Sequence, residues 1–170
     1  YSPAAGTGLS SHELNQPGCY RDVKDTTVVA QFKMKNPKPE MSAFGTPYFL
    51  AWTTTPWTLT SNTALCVGPN IEYVAVQSFN PYTGQPATYI VAKDLLNAHF
   101  NPKASEIALE DYKPGDKLVP FKVVANYKGV DLVGMQYEPL LDWITPENAD
   151  KAFRVIPGDY VTTEDGTGIV

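Results

Sequence analysis

The sequence predicts a mainly β domain, a barrel or sandwich of short strands with a few short helices. Three observations predict it. β-Branched and aromatic residues are plentiful, and these suit a pleated, half-buried surface. Fifteen prolines and twelve glycines in 170 residues keep the elements short and the turns many. Strand-like runs recur roughly every 8–12 residues with turn signals between them.

In chain order, residues 1–20, YSPAAGTGLSSHELNQPGCY, lack periodicity and are rich in Gly, Ser and Pro, which predicts a lead-in segment before a domain over 21–170. DTTVVAQFKM (25–34) places Val29, Phe32 and Met34 as the apolar residues of a first strand. NPKPEMSAFG (36–45) predicts a loop, and PYFLAWTTT (47–55) a buried strand. NTALCV (62–67) and EYVAVQSF (72–79) predict two more strands across GPNI. NPYTGQP joins EYVAVQSF to ATYIVAK (87–93) as a hairpin loop. KDLLNAHF (93–100) predicts a short helix. FKVVANY (121–127) and VDLVGMQYEPL (130–140) flank a turn at Lys128 and Gly129, and FRVIPGDYVTT (153–163) predicts a strand pair turning at PGD. EDGTGIV (164–170) is a turn leading into an apolar strand, and an apolar strand in that place predicts a domain cut from a longer protein.

Composition narrows the function classes. With 43% hydrophobic and 18% charged residues the chain is globular rather than disordered. A net charge of −5 argues against a basic face that grips phosphates, so any nucleic-acid contact must be local or rest on another part of a larger protein. No apolar run approaches the ~20 residues of a membrane span, and no n-region, h-region and cleavage site open the given residues, so no signal peptide is expected in them. Cys19 and Cys66 fit neither a disulfide framework nor a zinc pattern. Cys66 reads as a small buried hydrophobe, and free thiols suit a reducing cytosol. His12 and His99 have no partner at ligand spacing, so no metal site is expected.

Chemistry concentrates in AWTTTPWTLTSN (51–62). Three adjacent hydroxyls, each donor and acceptor, can ring a small polar group. If the strand ends at Thr55 because Pro56 removes a backbone donor, those hydroxyls lie at a strand end, where ligands are commonly met. Trp52 and Trp57 offer rigid apolar walls, and Asn62 an amide. The plainer reading is a strand of good β formers ended by Thr-Pro. Thr54 has no neighbouring His or Lys in sequence, so a covalent nucleophile is poorly supported and the stretch suits orienting a substrate and a water.

WTTTPWTL followed by a small residue and Asn62 closely resembles the threonine-rich peptide in the editing (CP1) domain of isoleucyl-tRNA synthetase, the large insertion in the catalytic domain of this class I enzyme. VDLVGMQYEPL and GDYVTTEDGTGIV resemble two further segments of that family in order and spacing, and YSPAAGTGLSSHEL resembles the lead-in to the insertion in its eukaryotic-like branch. The resemblance covers nearly the whole chain. It implies the closed or distorted β-barrel editing fold of class I aminoacyl-tRNA synthetases. It departs in two ways. Thr60-Ser61 stand where the family has proline-alanine, and the histidine and aspartate that follow GTGIV in the family lie past Val170.

The resemblance further implies a cytoplasmic aminoacyl-tRNA ester hydrolase within an isoleucine–tRNA ligase, clearing valine from Val-tRNA(Ile). A site that accepts isoleucine rejects valine weakly, because one methylene is worth only ~1–3 kcal/mol, and this amino-acid pair is itself the standard example. The implied roles are Thr54 and Thr55 as catalytic residues that hold the aminoacyl group and orient water. Trp52, Thr53, Trp57, Thr58, Asn62, Gly166, Thr167 and Gly168 are implied as substrate-binding residues. Backbone amides near the threonines would stabilise the oxyanion. No cofactor or metal is implied in this domain, with ATP and zinc confined to the rest of the synthetase. The implied partners are the valine-carrying 3′ end of tRNA(Ile) and the remainder of the synthetase chain, with no membrane. A non-catalytic pocket for a ligand or a tRNA end, and an editing site of valyl or leucyl specificity, remain as alternatives.

Overall fold

A computed structural model describes residues 1–143 and 145–170. Two sheets form the domain. The larger has five strands, β1 (Val28–Lys33), β2 (Thr46–Thr53), β4 (Glu72–Phe79), β5 (Pro86–Ala92) and β6 (Lys122–Lys128), in the order β1-β2-β5-β4-β6. The smaller pairs β3 (Ala64–Val67) with β7 (Arg154–Pro157). Every pairing in the large sheet is antiparallel except β2 with β5. That pair is parallel because a crossover carrying β3 and β4 separates its strands in sequence.

The strand register explains the core. Ala30, Phe32, Phe49 and Ala51 pair across β1 and β2 on one face, where they are buried with Tyr73, Ile90, Tyr137 and Ile169. The opposite face of the same strands carries Gln31, Tyr48, Leu50 and Trp52. There Leu50, Ala87 and Tyr89 form a second, smaller cluster. β5 is buried from Ala87 to Ala92, as expected of a central strand covered on both sides.

Segment 135–138 links the two sheets. Lys35 N–H donates to the Gln136 carbonyl at 2.9 Å and Glu138 N–H to the Lys33 carbonyl at 2.7 Å, along the free edge of β1. On its other side Val155 N–H donates to the Met135 carbonyl at 2.8 Å. Residues 169–170 then add to the free edge of β3, with Cys66 N–H donating to the Val170 carbonyl at 2.6 Å. The mainly β architecture is as expected, in its distorted form: the large sheet is open.

Several local expectations need correction. The 36–45 loop contains a one-turn helix, α2 (Pro39–Ser42), which follows α1 (Ser11–Leu14). Proline at its start fixes a helical φ, and the turn delivers Met41 fully into the core. The 130–140 segment does not pair with β6. It opens as the short helix α4 (Gly129–Leu132), whose Asp131 carboxylate accepts the Lys128 N–H at 2.9 Å, and extends only beyond it. The α-helix α3 (Leu96–His99) and a preceding 3₁₀ turn match the predicted short helix. The 153–163 hairpin is a single strand, β7. Both of its edges are taken, by β3 and by segment 135–137, so the chain after Gly158 has no edge to return to. Residues 1–20 lie on the surface, with Cys19 exposed, whereas Cys66 is buried as expected.

Candidate functional site

β2 ends at Thr53, two residues earlier than expected, because its last partner in β1 is Val28. The next three residues turn back on the strand end. Thr53 Oγ1 accepts the Thr55 N–H at 3.0 Å, which withdraws that amide from any ladder. Thr55 then leads into a 3₁₀ helix over Pro56–Ser61. A chain of hydroxyls runs Thr53–Thr55–Thr58, with successive Oγ1 atoms 3.3 Å apart, and Thr58 Oγ1 donates to the Thr55 carbonyl at 2.7 Å. Thr54 is left out of this chain: among the described residues its hydroxyl meets no partner.

A cleft of about 230 Å³ opens beside Thr54. Trp52, Thr53 and Thr54 form one wall and residues 166–170 the other, with the exposed Tyr160, Thr162 and Asp165 completing the lining. This is below the roughly 300–1,000 Å³ of pockets that hold drug-sized ligands, so the cleft suits one small group.

The loop wall is held from a distance. The Tyr73 hydroxyl donates to the Gly168 carbonyl at 2.6 Å and accepts the Gly68 N–H at 3.0 Å. His99 Nε2 meets the Gly166 carbonyl at 2.6 Å, and Ala92 N–H donates to the Thr167 carbonyl at 2.9 Å. Thr167 is buried, and its Oγ1 turns inward to the Ile169 carbonyl at 3.2 Å. Gly166 and Gly168 adopt φ of +71° and +72°, the left-handed region in which glycine is least strained. A Cβ on Gly168 would overlap the Ala92 Cβ. Among the described residues, no group of the chain accepts the N–H of Gly166, Thr167 or Gly168.

Burial pushes the Tyr73 phenol up to about 12, against a smaller opposing effect of the Gly68 N–H it accepts. It stays protonated, and so a donor, through the neutral range.

The structure therefore brings together Trp52, Thr53, Thr54, Gly166, Thr167 and Gly168. Thr55 and Thr58 stand behind that wall and support Thr53. Trp57 projects into solvent, 66% exposed, away from the cleft. Asn62 is also outside it: its Nδ2 donates to the Ala64 carbonyl at 3.0 Å and its Oδ1 accepts the Tyr137 hydroxyl at 2.6 Å. Sequence reasoning missed Tyr73, His99, Tyr160 and Asp165. Asp165 abuts the GTG motif and was within reach. Tyr73 and His99 act through contacts 95 and 67 residues away in sequence, which no local spacing reports. Among the described residues no cluster of three or more His, Cys, Asp or Glu could hold a metal ion, and no helix is long and apolar enough to cross a membrane.

Comparison with known proteins places these features in context. No protein-family model matches the chain. It is 81% identical over 170 residues to isoleucine–tRNA ligase of Bacteroides fragilis, 66% over 171 residues to that of Porphyromonas gingivalis, and 40% over 170 residues to that of Clostridium tetani. Each match takes in the whole chain, which spans 13–15% of the length of these relatives. The fold is similar to the cytosolic leucyl-tRNA synthetase editing domain of P. knowlesi, with a TM-score of 0.59 at 14% identity over 85% of this chain and 57% of that one. The crystal structure of GlLeuRS-CP1 is similar at a TM-score of 0.57 and 18% identity, over 85% of this chain and 53% of that one.

Proposed function

We propose, for a chain that matches one segment of isoleucine–tRNA ligases from end to end and has the fold of synthetase editing domains, that it hydrolyses the ester of Val-tRNA(Ile). The observation that carries this reading is the small cleft with an unpartnered threonine hydroxyl on one wall and undonated loop amides on the other. An aminoacyl ester is already activated. Orientation of a water and stabilisation of the developing charge can then suffice without a covalent intermediate.

In this reading Thr54 touches the aminoacyl group and orients the attacking water. Thr53 and Trp52 line the space for the amino-acid side chain and the terminal ribose. The amides of Gly166 and Thr167 receive the oxyanion of the tetrahedral intermediate, a role that the Thr55 amide, already given to Thr53 Oγ1, does not offer. Asp165, an exposed residue of the lining, supplies a carboxylate for the substrate's ammonium group. Thr55 and Thr58 act as positioning residues through Thr53. The small volume supports a sieve that takes valine and refuses the larger isoleucine. The domain needs no cofactor of its own in this scheme, ATP and zinc serving the rest of a cytoplasmic synthetase.

The test uses the full-length ligase that carries this segment. Thr54→Ala should lower Val-tRNA(Ile) deacylation by roughly tenfold or more, the scale of a lost hydrogen bond in a reacting complex. Thr55→Ala should lower it less. Isoleucylation should be unaffected in both. Wild-type deacylation in Thr54→Ala would defeat the proposal.

A further inference from the structure

We propose that His99 is a positioning residue for the hydrolysis, which aims the Thr167 amide at the oxyanion and strengthens it as a donor. This rests on the editing reading above and extends it to a residue outside the cleft. His99 is absent from the cleft lining. It ends α3, which follows β5 through one 3₁₀ turn, so its backbone is fixed by regular structure. Its Nε2 meets the Gly166 carbonyl at 2.6 Å. A carbonyl only accepts, so Nε2 carries the proton and donates.

The Gly166 carbonyl and the Thr167 N–H belong to one peptide unit. That peptide is trans, so its N–H points opposite to its carbonyl. With the carbonyl turned to His99, the Thr167 N–H is turned away from it, and Gly166 and Thr167 both line the cleft. Gly166 also packs closely on Trp52: a Cβ there would sit 3.0 Å from the indole Cε3. The indole and the imidazole together leave this peptide little freedom to rotate.

Aim is one effect and strength the other. A hydrogen bond to a peptide carbonyl polarises the unit and improves its N–H as a donor, by roughly 10–30% per bond. Three successive carbonyls of the loop wall receive such a bond, Gly166 from His99, Thr167 from the Ala92 N–H and Gly168 from the Tyr73 hydroxyl. The amides at the other ends of these units are those of Thr167, Gly168 and Ile169. The Ile169 N–H is turned to Thr167 Oγ1 at 3.4 Å, whereas the first two have no acceptor among the described residues. Ala92 acts through its backbone, so His99 is the side chain through which a free amide of this wall is tuned. In the reaction a water oxygen bonds to the ester carbon. The carbonyl electron pair moves onto the carbonyl oxygen, where the Thr167 N–H meets it. Collapse then expels the ribose oxygen, which leaves with a proton from the water.

The experiment measures Val-tRNA(Ile) deacylation by the full-length ligase carrying His99→Phe or His99→Gly. His99→Phe keeps a ring in this half-buried place and removes the N–H. Both should lower kcat by roughly tenfold, a part of the roughly 10²–10³-fold that a whole oxyanion donor supplies. KM should stay within about twofold, because the oxyanion exists only in the transition state. Imidazole added to His99→Gly should restore activity saturably and beyond any gain in wild type. Thiazole, a ring of similar shape without an N–H, should not. A rise in KM at unchanged kcat, or equal rescue by thiazole, would show that His99 only props the loop and overturns the proposal. If the wild-type ligase leaves Val-tRNA(Ile) intact, the editing reading itself fails. Wild-type hydrolysis with a parental kcat in His99→Phe sinks this inference alone.

Discussion

The threonine wall of the cleft is tied to itself by bonds that span two or three residues, whereas the glycine wall is tied by Tyr73 and His99 across 95 and 67 residues. The first wall is half-buried at Trp52 and Thr53 and exposed at Thr54, whose hydroxyl has no partner among the described residues. The second is half-buried at Gly166 and buried from Thr167 to Ile169, and every carbonyl from Gly166 to Gly168 is committed. The difference separates chemistry from architecture. A change in the threonine turn should alter reaction rates with little effect on folding, and a change in the glycine loop should alter both.

Gly168→Val tests that separation most severely. Its φ of +72° strains a branched residue, and its Cβ would overlap the Ala92 Cβ. Left-handed backbone costs ~1–2 kcal/mol and overpacking ~1–3 kcal/mol. The chain should therefore lose about 2–5 kcal/mol, read as a lower urea midpoint at unchanged m. Thr54→Ala, at an exposed turn, should stay within about 0.5 kcal/mol of the parent. Equal losses at the two positions would dissolve the distinction between the walls.

Tyr73→Phe sharpens it further. The change leaves the Gly168 carbonyl and the Gly68 N–H without their partner, at about 1–3 kcal/mol for buried groups. It also has a pH signature. In the unfolded chain the phenol releases its proton near 10, whereas in the fold burial raises it to about 12. Between those values the unfolded state binds fewer protons, so stability falls as pH rises. The contribution is complete below pH ~10 and lost through pH ~12. Tyr89 is raised in the same way, again mainly by burial. Alkaline unfolding of Tyr73→Phe should be less steep in pH than that of the parent. An equal slope would mean that Tyr73 does not carry its predicted share.

What the sequence disclosed follows the same division. β4 matches the expected run over 72–79, and β5 lies within a residue of the run over 87–93, because alternation and a hairpin loop are local signals. The threonine turn was legible since its residue types are its mechanism. The 153–163 hairpin was misread because the edges of β7 are filled by β3 and segment 135–137, which lie far from it in sequence. Likewise nothing near His99 announces that its ring will meet the Gly166 carbonyl. Trp57 was expected as a wall because it offers rigid apolar surface beside the threonines, yet the 3₁₀ helix turns it to solvent.

Asn62 marks the boundary between the two kinds of residue, and Tyr137→Phe locates it. The amide spends its Nδ2 on the Ala64 carbonyl and its Oδ1 on the Tyr137 hydroxyl, so it ties the end of the 3₁₀ helix to the core. Tyr137 is itself fully buried and packs edge-on against Phe32, with ring centroids 5.2 Å apart. Removing only its hydroxyl costs one hydrogen bond, about 1 kcal/mol, or roughly 2–4 °C in Tm for a chain of this size. Deacylation of Val-tRNA(Ile) should stay within about twofold of the parent, since neither Tyr137 nor Asn62 lines the cleft. A tenfold fall in deacylation at unchanged Tm would show that Asn62 serves the substrate, and the reactive wall would then extend to the far end of the 3₁₀ helix.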